Sequence, residues 1–192
     1  MNFKIIVLAG LLLAGCSSTE SISSNTENDV LNNEPSVQLT VVAQSLSQWP
    51  YAKQQLTYSI KNKDITPNTG EKISSWKSIT ETNIIAKLNS LGLTQASDEK
   101  ANLSIIYGVT APSDNTKAAD AMFDTLGLTT GSSTGGTNGA IDITINDNRS
   151  GIAIWAGAVS AAVDKPIKTE TTKNRVIKSL IDSLLNKLPQ AN

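Results

Sequence analysis

Apolar and polar positions along this chain change rhythm several times, and each change marks a different kind of segment. Residues 5–13 are an unbroken apolar run, and residues 17–36 (SSTESISSNTENDVLNNEPS) carry almost no apolar side chain. From Val37 the pattern becomes periodic. Val37, Leu39 and Val41 alternate with polar residues as in a half-buried strand, and 56–60 is a second, weaker strand. Trp49-Pro50-Tyr51 between them marks a turn or a sheet edge. Over 71–91 the spacing becomes helical: Ile73, Trp76, Ile84, Leu88 and Leu91, with Ile85 beside them, form one stripe. Gly92 follows, the residue favoured for a left-handed cap.

The alternation returns in 101–110 (ANLSIIYGVT), which predicts an interior strand. A short amphipathic segment over 115–126 places Ala119, Met122, Phe123 and Leu126 on one side, and a glycine-rich loop over 131–139 follows. Strands are predicted over 140–145, where Ile141, Ile143 and Ile145 alternate, and over 151–163. The turn Asn146-Asp147-Asn148-Arg149-Ser150-Gly151 joins them as a hairpin. The last element is a helix over 168–188 with Val176, Ile177, Leu180, Ile181, Leu184 and Leu188 on one face, and Pro189 stops it. Together these predict an α+β domain: a largely antiparallel sheet of four to five strands with two long amphipathic helices packed on one face.

The first apolar run reads as an export signal. Lys4 supplies the positive n-region, residues 5–13 the apolar centre, and Ala14-Gly15 the small residues required at a cleavage site. Nine apolar residues are too few to cross a hydrocarbon core as a helix, which takes about 20. Leu13-Ala14-Gly15-Cys16 has the form of a lipobox, with the cut before Cys16 and a diacylglycerol on its thiol. Cys16 is the one cysteine in the chain, so no internal disulfide can form and acylation consumes the thiol. More than one acyl chain makes such an anchor stable. Ser17, in place of Asp, favours the periplasmic leaflet of the outer membrane in a double-membraned bacterium. The expected organisation is a signal peptide over 1–15, a lipidated disordered tether over 16–36, and one α+β periplasmic domain over 37–192. The tether is too polar to offset its ordering entropy. Fully extended it reaches roughly 60–70 Å.

Composition narrows the function further. The formal net charge is −1, so no basic excess steers nucleic acid. Aromatics make up 4% of the chain, which leaves the core to Ile, Leu, Val and Ala. There is no histidine, and with it go the usual general base, metal ligand and pH switch. Ser74/Lys77 and Ser97/Lys100 match Ser-x-x-Lys but lack the partner motifs of a serine acyltransferase. The glycine-rich loop lacks the Gly-Lys-Ser/Thr ending of a phosphate loop. Asp142, Asn146, Asp147 and Asn148 are oxygen donors without the spaced acidic pattern of a calcium loop, and turn chemistry explains them. No metal or cofactor is expected. Asp142 and Asp164 are the carboxylates on which an enzyme would have to rest, and the sequence pairs neither.

Trp76 lies on the helix stripe and is core. Trp155 is adjacent to Ile154, so in a regular strand one of the two faces the helices and the other the open face of the sheet. A Trp155 on the open face is a contact candidate, with core as its alternative. Trp49 and Tyr51 are weaker candidates of the same type.

Several short signatures stand out: Thr57-Tyr58, Leu88-Asn89-Ser90-Leu91-Gly92, Ala101-Asn102-Leu103, the run Ile141 to Ile145, Trp155-Ala156-Gly157 and the helix end Leu188-Pro189. Together they resemble a family of bacterial lipoproteins known as domain of unknown function 4136. The likeness covers residues 56–189. Three positions depart from the pattern: Asn102 stands where an Asp is usual, Ile60 where an aromatic is common, and Ala156 where a basic residue is common. The resemblance implies no activity, because that family's function is unknown. The expectation is therefore a non-enzymatic, lipid-anchored binding or adaptor module. It meets the membrane through the lipid on Cys16 and binds an envelope protein. A small-ligand or glycan-binding domain is the alternative.

Overall fold

The computed structural model describes residues 16–22, 35–47, 49, 56–63, 71–113 and 137–189. The elements in chain order are β1 (Cys16–Ile22), β2 (Val37–Ser45), β3 (Thr57–Asn62), α1 (Glu71–Ser90), β4 (Thr94–Gln95), β5 (Leu103–Ser113), β6 (Thr137–Asp147), β7 (Ile152–Val163) and α2 (Glu170–Leu185). The predicted amphipathic segment over 115–126 lies outside the described residues, as does most of the glycine-rich loop.

The strands form one sheet in the order β1-β2-β7-β6-β5-β3-β4. The α+β class and the two helices agree with the periodicity. The sheet itself is larger than the predicted four to five strands, and it is mixed. β1, β2, β7, β6 and β5 pair antiparallel, whereas β3 is parallel to both β5 and β4. Parallel neighbours need a long crossover, and α1 provides it between β3 and β5.

The two extra strands are the ones that hydrophobic patterning cannot reveal. β4 is two residues long, too short to show a period. β1 falls in the stretch assigned to the disordered tether, yet Cys16↔Ala43 through Ile22↔Val37 pair in register. Low apolar content removes side-chain burial as a driving force. The open edge of β2 still offers a row of backbone donors and acceptors that a polar strand can satisfy.

The two helices cover one face of the sheet. Leu39 and Val41 of β2, Ile141, Ile143 and Ile145 of β6, and Tyr107 of β5 are buried against Ile84 and Leu88 of α1 and Ile177, Leu180, Ile181 and Leu184 of α2. Each such side chain contributes roughly 1.5–3 kcal/mol on burial. α1 closes with the Leu93 N–H on the Leu88 carbonyl (3.1 Å) and with Gly92 at φ 86°, the left-handed cap its position predicts. α2 begins at Thr169, whose Oγ1 accepts the Thr172 N–H at 3.1 Å. Lys173 of α2 lies 5.5 Å above the buried Trp76 ring of α1 and joins the two helices.

β7 is where sequence periodicity misleads. Ile145 pairs with Trp155 but Asn146 pairs with Ala153, so Ile154 is an extra residue in the ladder. This bulge breaks the alternation. Ile154 (2% exposed) and Trp155 (fully buried) both lie inside, and Trp155 belongs to the core beneath α2.

A polar cleft at one end of the sheet

The registers place seven chain positions at one end of the sheet. β3, β4, β5 and β7 start there, β2 and β6 finish there, and β1 starts there at Cys16. The end of α1 returns to the same place, because Thr94 in β4 pairs with Thr57 at the start of β3.

An open cleft of about 750 Å³ lies at this end, between the β4–β5 connection and the β6–β7 hairpin. Its lining is mostly polar and includes Lys61, Asp98, Lys100, Asn146, Asn148 and Arg149. Two local devices shape it. Asn102 Oδ1 accepts from the Thr57 N–H (3.0 Å) and hydroxyl (2.9 Å), while the Asn102 N–H donates to Thr57 Oγ1 at 3.0 Å. This reciprocal clamp fixes the β4–β5 connection across the start of β3. On the other wall, Asp147 organises the hairpin by accepting from the Arg149 N–H (3.0 Å) and the Ser150 hydroxyl (2.7 Å). Gly151, at φ 72°, closes the turn. Asn148 bridges the two walls, accepting from Ser104 Oγ at 2.7 Å and donating to the Ala101 carbonyl at 2.8 Å.

The cleft mixes charges. Lys61 pairs with Asp98 at 2.7 Å, and this hydrogen bond holds the Asp98 carboxyl below its usual range. Such a lining can grip a polar ligand through amides, hydroxyls and charges of both signs. Its one hydroxyl nucleophile, Ser104, donates to an amide oxygen and not to a general base. Among the described residues no three His, Cys, Asp or Glu side chains converge as a metal site would require.

The residues singled out by sequence are scattered by the fold. Trp155 is a core residue, not an exposed contact, because the bulge turns its ring under α2 where Leu184 and Gly157 meet it. Trp49 is half-buried against the core, and Tyr51 lies outside the described residues. Of the oxygen donors of the β6–β7 hairpin, Asp147 is occupied by the turn and Asn148 by Ser104. Ser97 accepts the N–H groups of Lys100 and Ala101 through its carbonyl, so the Ser-x-x-Lys match there is a turn.

Neither carboxylate is unpaired. Asp164 Oδ1 accepts the Ser36 N–H at 2.7 Å. Asp142 sits 3.8 Å from Lys63 Nζ on the sheet face away from the helices. It is 3% exposed, and its Oδ1 has no hydrogen-bond partner among the described residues. Burial pushes its carboxyl above the ordinary aspartate range, and Lys63 only partly offsets this. Lys100, Asn102, Asn146 and Asn148 stand in short motifs of the sequence, but nothing along the chain gathers them into one cleft; Lys61 of β3 and Asp98 of the β4–β5 connection carry no signal, since they meet only through the parallel pairing of β3.

No family model matches the chain, and no curated protein matches it. Among solved structures it is similar to a PelC dodecamer from Paraburkholderia phytofirmans, at 15% identity and a TM-score of 0.44, covering 79% of this chain and 99% of that one. It is also similar to a PDZ domain protein from Parabacteroides distasonis, at 12% identity and a TM-score of 0.45, covering 78% of this chain and 37% of that one. A third, from Xanthomonas campestris, has 8% identity and a TM-score of 0.35, covering 72% of this chain and 88% of that one. None of these likenesses carries an argument about function.

Proposed function

We propose that this protein is a lipid-anchored binding or adaptor module of the bacterial envelope, without enzymatic activity and related to the domain of unknown function 4136 lipoproteins. The observation that carries the reading is Leu13-Ala14-Gly15-Cys16 closing a short apolar run in a chain with no other cysteine. In a double-membraned bacterium, Ser17 after the acylated cysteine directs it to the periplasmic leaflet of the outer membrane, where it meets an envelope protein. Cys16→Ser removes the acyl acceptor, so the expected result is an uncut precursor that incorporates no labelled fatty acid. Normal processing of the variant, with no label on the wild type, overturns the reading.

A second reading is favoured by the cleft itself: a periplasmic domain that holds a small polar ligand or glycan. A cleft of about 750 Å³ with amide and charged walls suits such a molecule better than an apolar one. A thermal-shift screen of muropeptides and envelope metabolites separates the two. Saturable stabilisation that disappears in Asn148→Ala selects the ligand-binding reading.

A further inference from the structure

Exposed apolar side chains and the acylation site occupy the same end of the sheet. Among the described residues the exposed large hydrophobics are Ile152 (54%), Leu46 (46%) and Leu91 (37%). Ile152 opens β7, Leu46 follows the end of β2 and donates its N–H to the Ile154 carbonyl at 2.9 Å, and Leu91 follows the end of α1. All three therefore lie at the end of the sheet where β1 begins, Leu46 and Ile152 towards the β1 edge and Leu91 beside β4 at the opposite edge. Leu46 and Ile152 form one corner, with half-buried Trp49 nearby in sequence.

Cys16 is attached to this end without slack. It is the first residue of β1 and pairs with Ala43, three residues before Leu46. Strand geometry puts Leu46 about 10 Å beyond the level of Cys16 along the sheet. A flexible stretch after the lipid would leave the domain free to stand away from the bilayer. A hydrogen-bonded strand holds this end at the anchor point instead. The charges here do not select the membrane electrostatically: Lys61, Lys100 and Arg149 are set against Asp98, Glu99 and Asp147. Apolar insertion is the interaction that the residues support.

We infer that the domain docks on the lipid surface with this end of the sheet, inserting Leu46 and Ile152 beside the acyl chains. The inference rests on the acylation of Cys16. It opposes the picture of a domain held off by a long tether, and it leaves the opposite end, where β7 passes into α2, for a protein partner.

The test uses the acylated full-length protein in phosphatidylethanolamine–phosphatidylglycerol vesicles. Leu46→Cys, Ile152→Cys and, at the opposite end, Lys168→Cys are each labelled with an environment-sensitive fluorophore, Cys16 being blocked by its lipid. The expected result is a blue shift and quenching by nitroxide-labelled lipid at 46 and 152, with neither at 168. Quenching at none of the three, or at 168 alone, overturns the inference while fatty-acid labelling still supports the anchor. Absence of fatty-acid label brings down the anchor reading itself. Ser45→Cys probes the same corner should a labelled variant fail to fold.

Discussion

Gly157 is the position where the packing makes its sharpest demand. It sits opposite Ala43 on β2 and Ile143 on β6, on the face covered by α2. A Cβ built there meets Leu184 Cδ1 at 2.8 Å and the Trp155 ring at 2.8 and 3.1 Å. Leu184 can rotate, but the indole is held by the bulge and by the strands on either side. Gly157→Ala therefore forces the ring or the helix outward, an overpacking cost of about 1–3 kcal/mol. Reduced freedom of the unfolded chain returns about 0.4–1 kcal/mol of this. The middle of these ranges leaves a net cost of about 1–2 kcal/mol, and at about 2–4 °C per kcal/mol for a chain of this size Tm falls by about 2–8 °C. Thermal unfolding followed by circular dichroism gives the shift, and the emission of the buried tryptophans reports the displaced ring. Gly151→Ala is the comparison, since that position has open space and only a strained φ of 72°, a cost of about 1 kcal/mol with no change in tryptophan emission. A Gly157→Ala protein with unchanged or raised Tm would falsify the seating of Trp155 over this glycine.

Two further perturbations address the cleft wall and the buried carboxylate. Asn102→Ala removes the acceptor for both the Thr57 N–H and its hydroxyl, and should cost about 1–2 kcal/mol in urea unfolding; Asn102→Asp, which keeps the acceptor oxygen, should recover most of it. Equal losses for the two variants would show that the clamp is not what matters there. Asp142 is raised in the folded state, so its ionisation works against folding, and the penalty is complete only above its folded pKa. Asp142→Asn should thus be more stable than the native chain at neutral pH. That advantage should shrink as pH falls through the raised pKa and vanish below about 3.9, the ordinary aspartate value. An advantage constant from pH 3 to 8 would show that titration of Asp142 is not its source.

Long apolar stripes were readable without a structure because each helix must bury one face to be stable. Ile84 and Leu88 lie under α1 as their spacing predicts, and Ile177, Leu180, Ile181 and Leu184 lie under α2. The alternation of Ile141, Ile143 and Ile145 likewise marks the buried face of β6. The Trp-x-Gly signature acquires a reason: the ring of Trp155 occupies the space that a side chain at Gly157 would take. Thr57 and Asn102, from two other short signatures, turn out to be the two halves of one clamp.

What periodicity could not supply were the features that depend on a neighbour brought from elsewhere in the chain. β1 exists because β2 offers it an edge, and no apolar pattern records that offer. One extra residue at Ile154 shifts the alternation of β7, so the exposure of Trp155 is decided by its register with β6. Lys61 meets Asp98, and Lys63 meets Asp142, only after β3 lies against its neighbours. Most element types, the core stripes and the lipobox-like order Leu13-Ala14-Gly15-Cys16 are legible along the chain, because periodicity and a short motif are properties of contiguous residues. The cleft, the mixed sheet and the gathering of Cys16 with Leu46 and Ile152 at one end belong to the tertiary structure alone, since pairing across strands sets them.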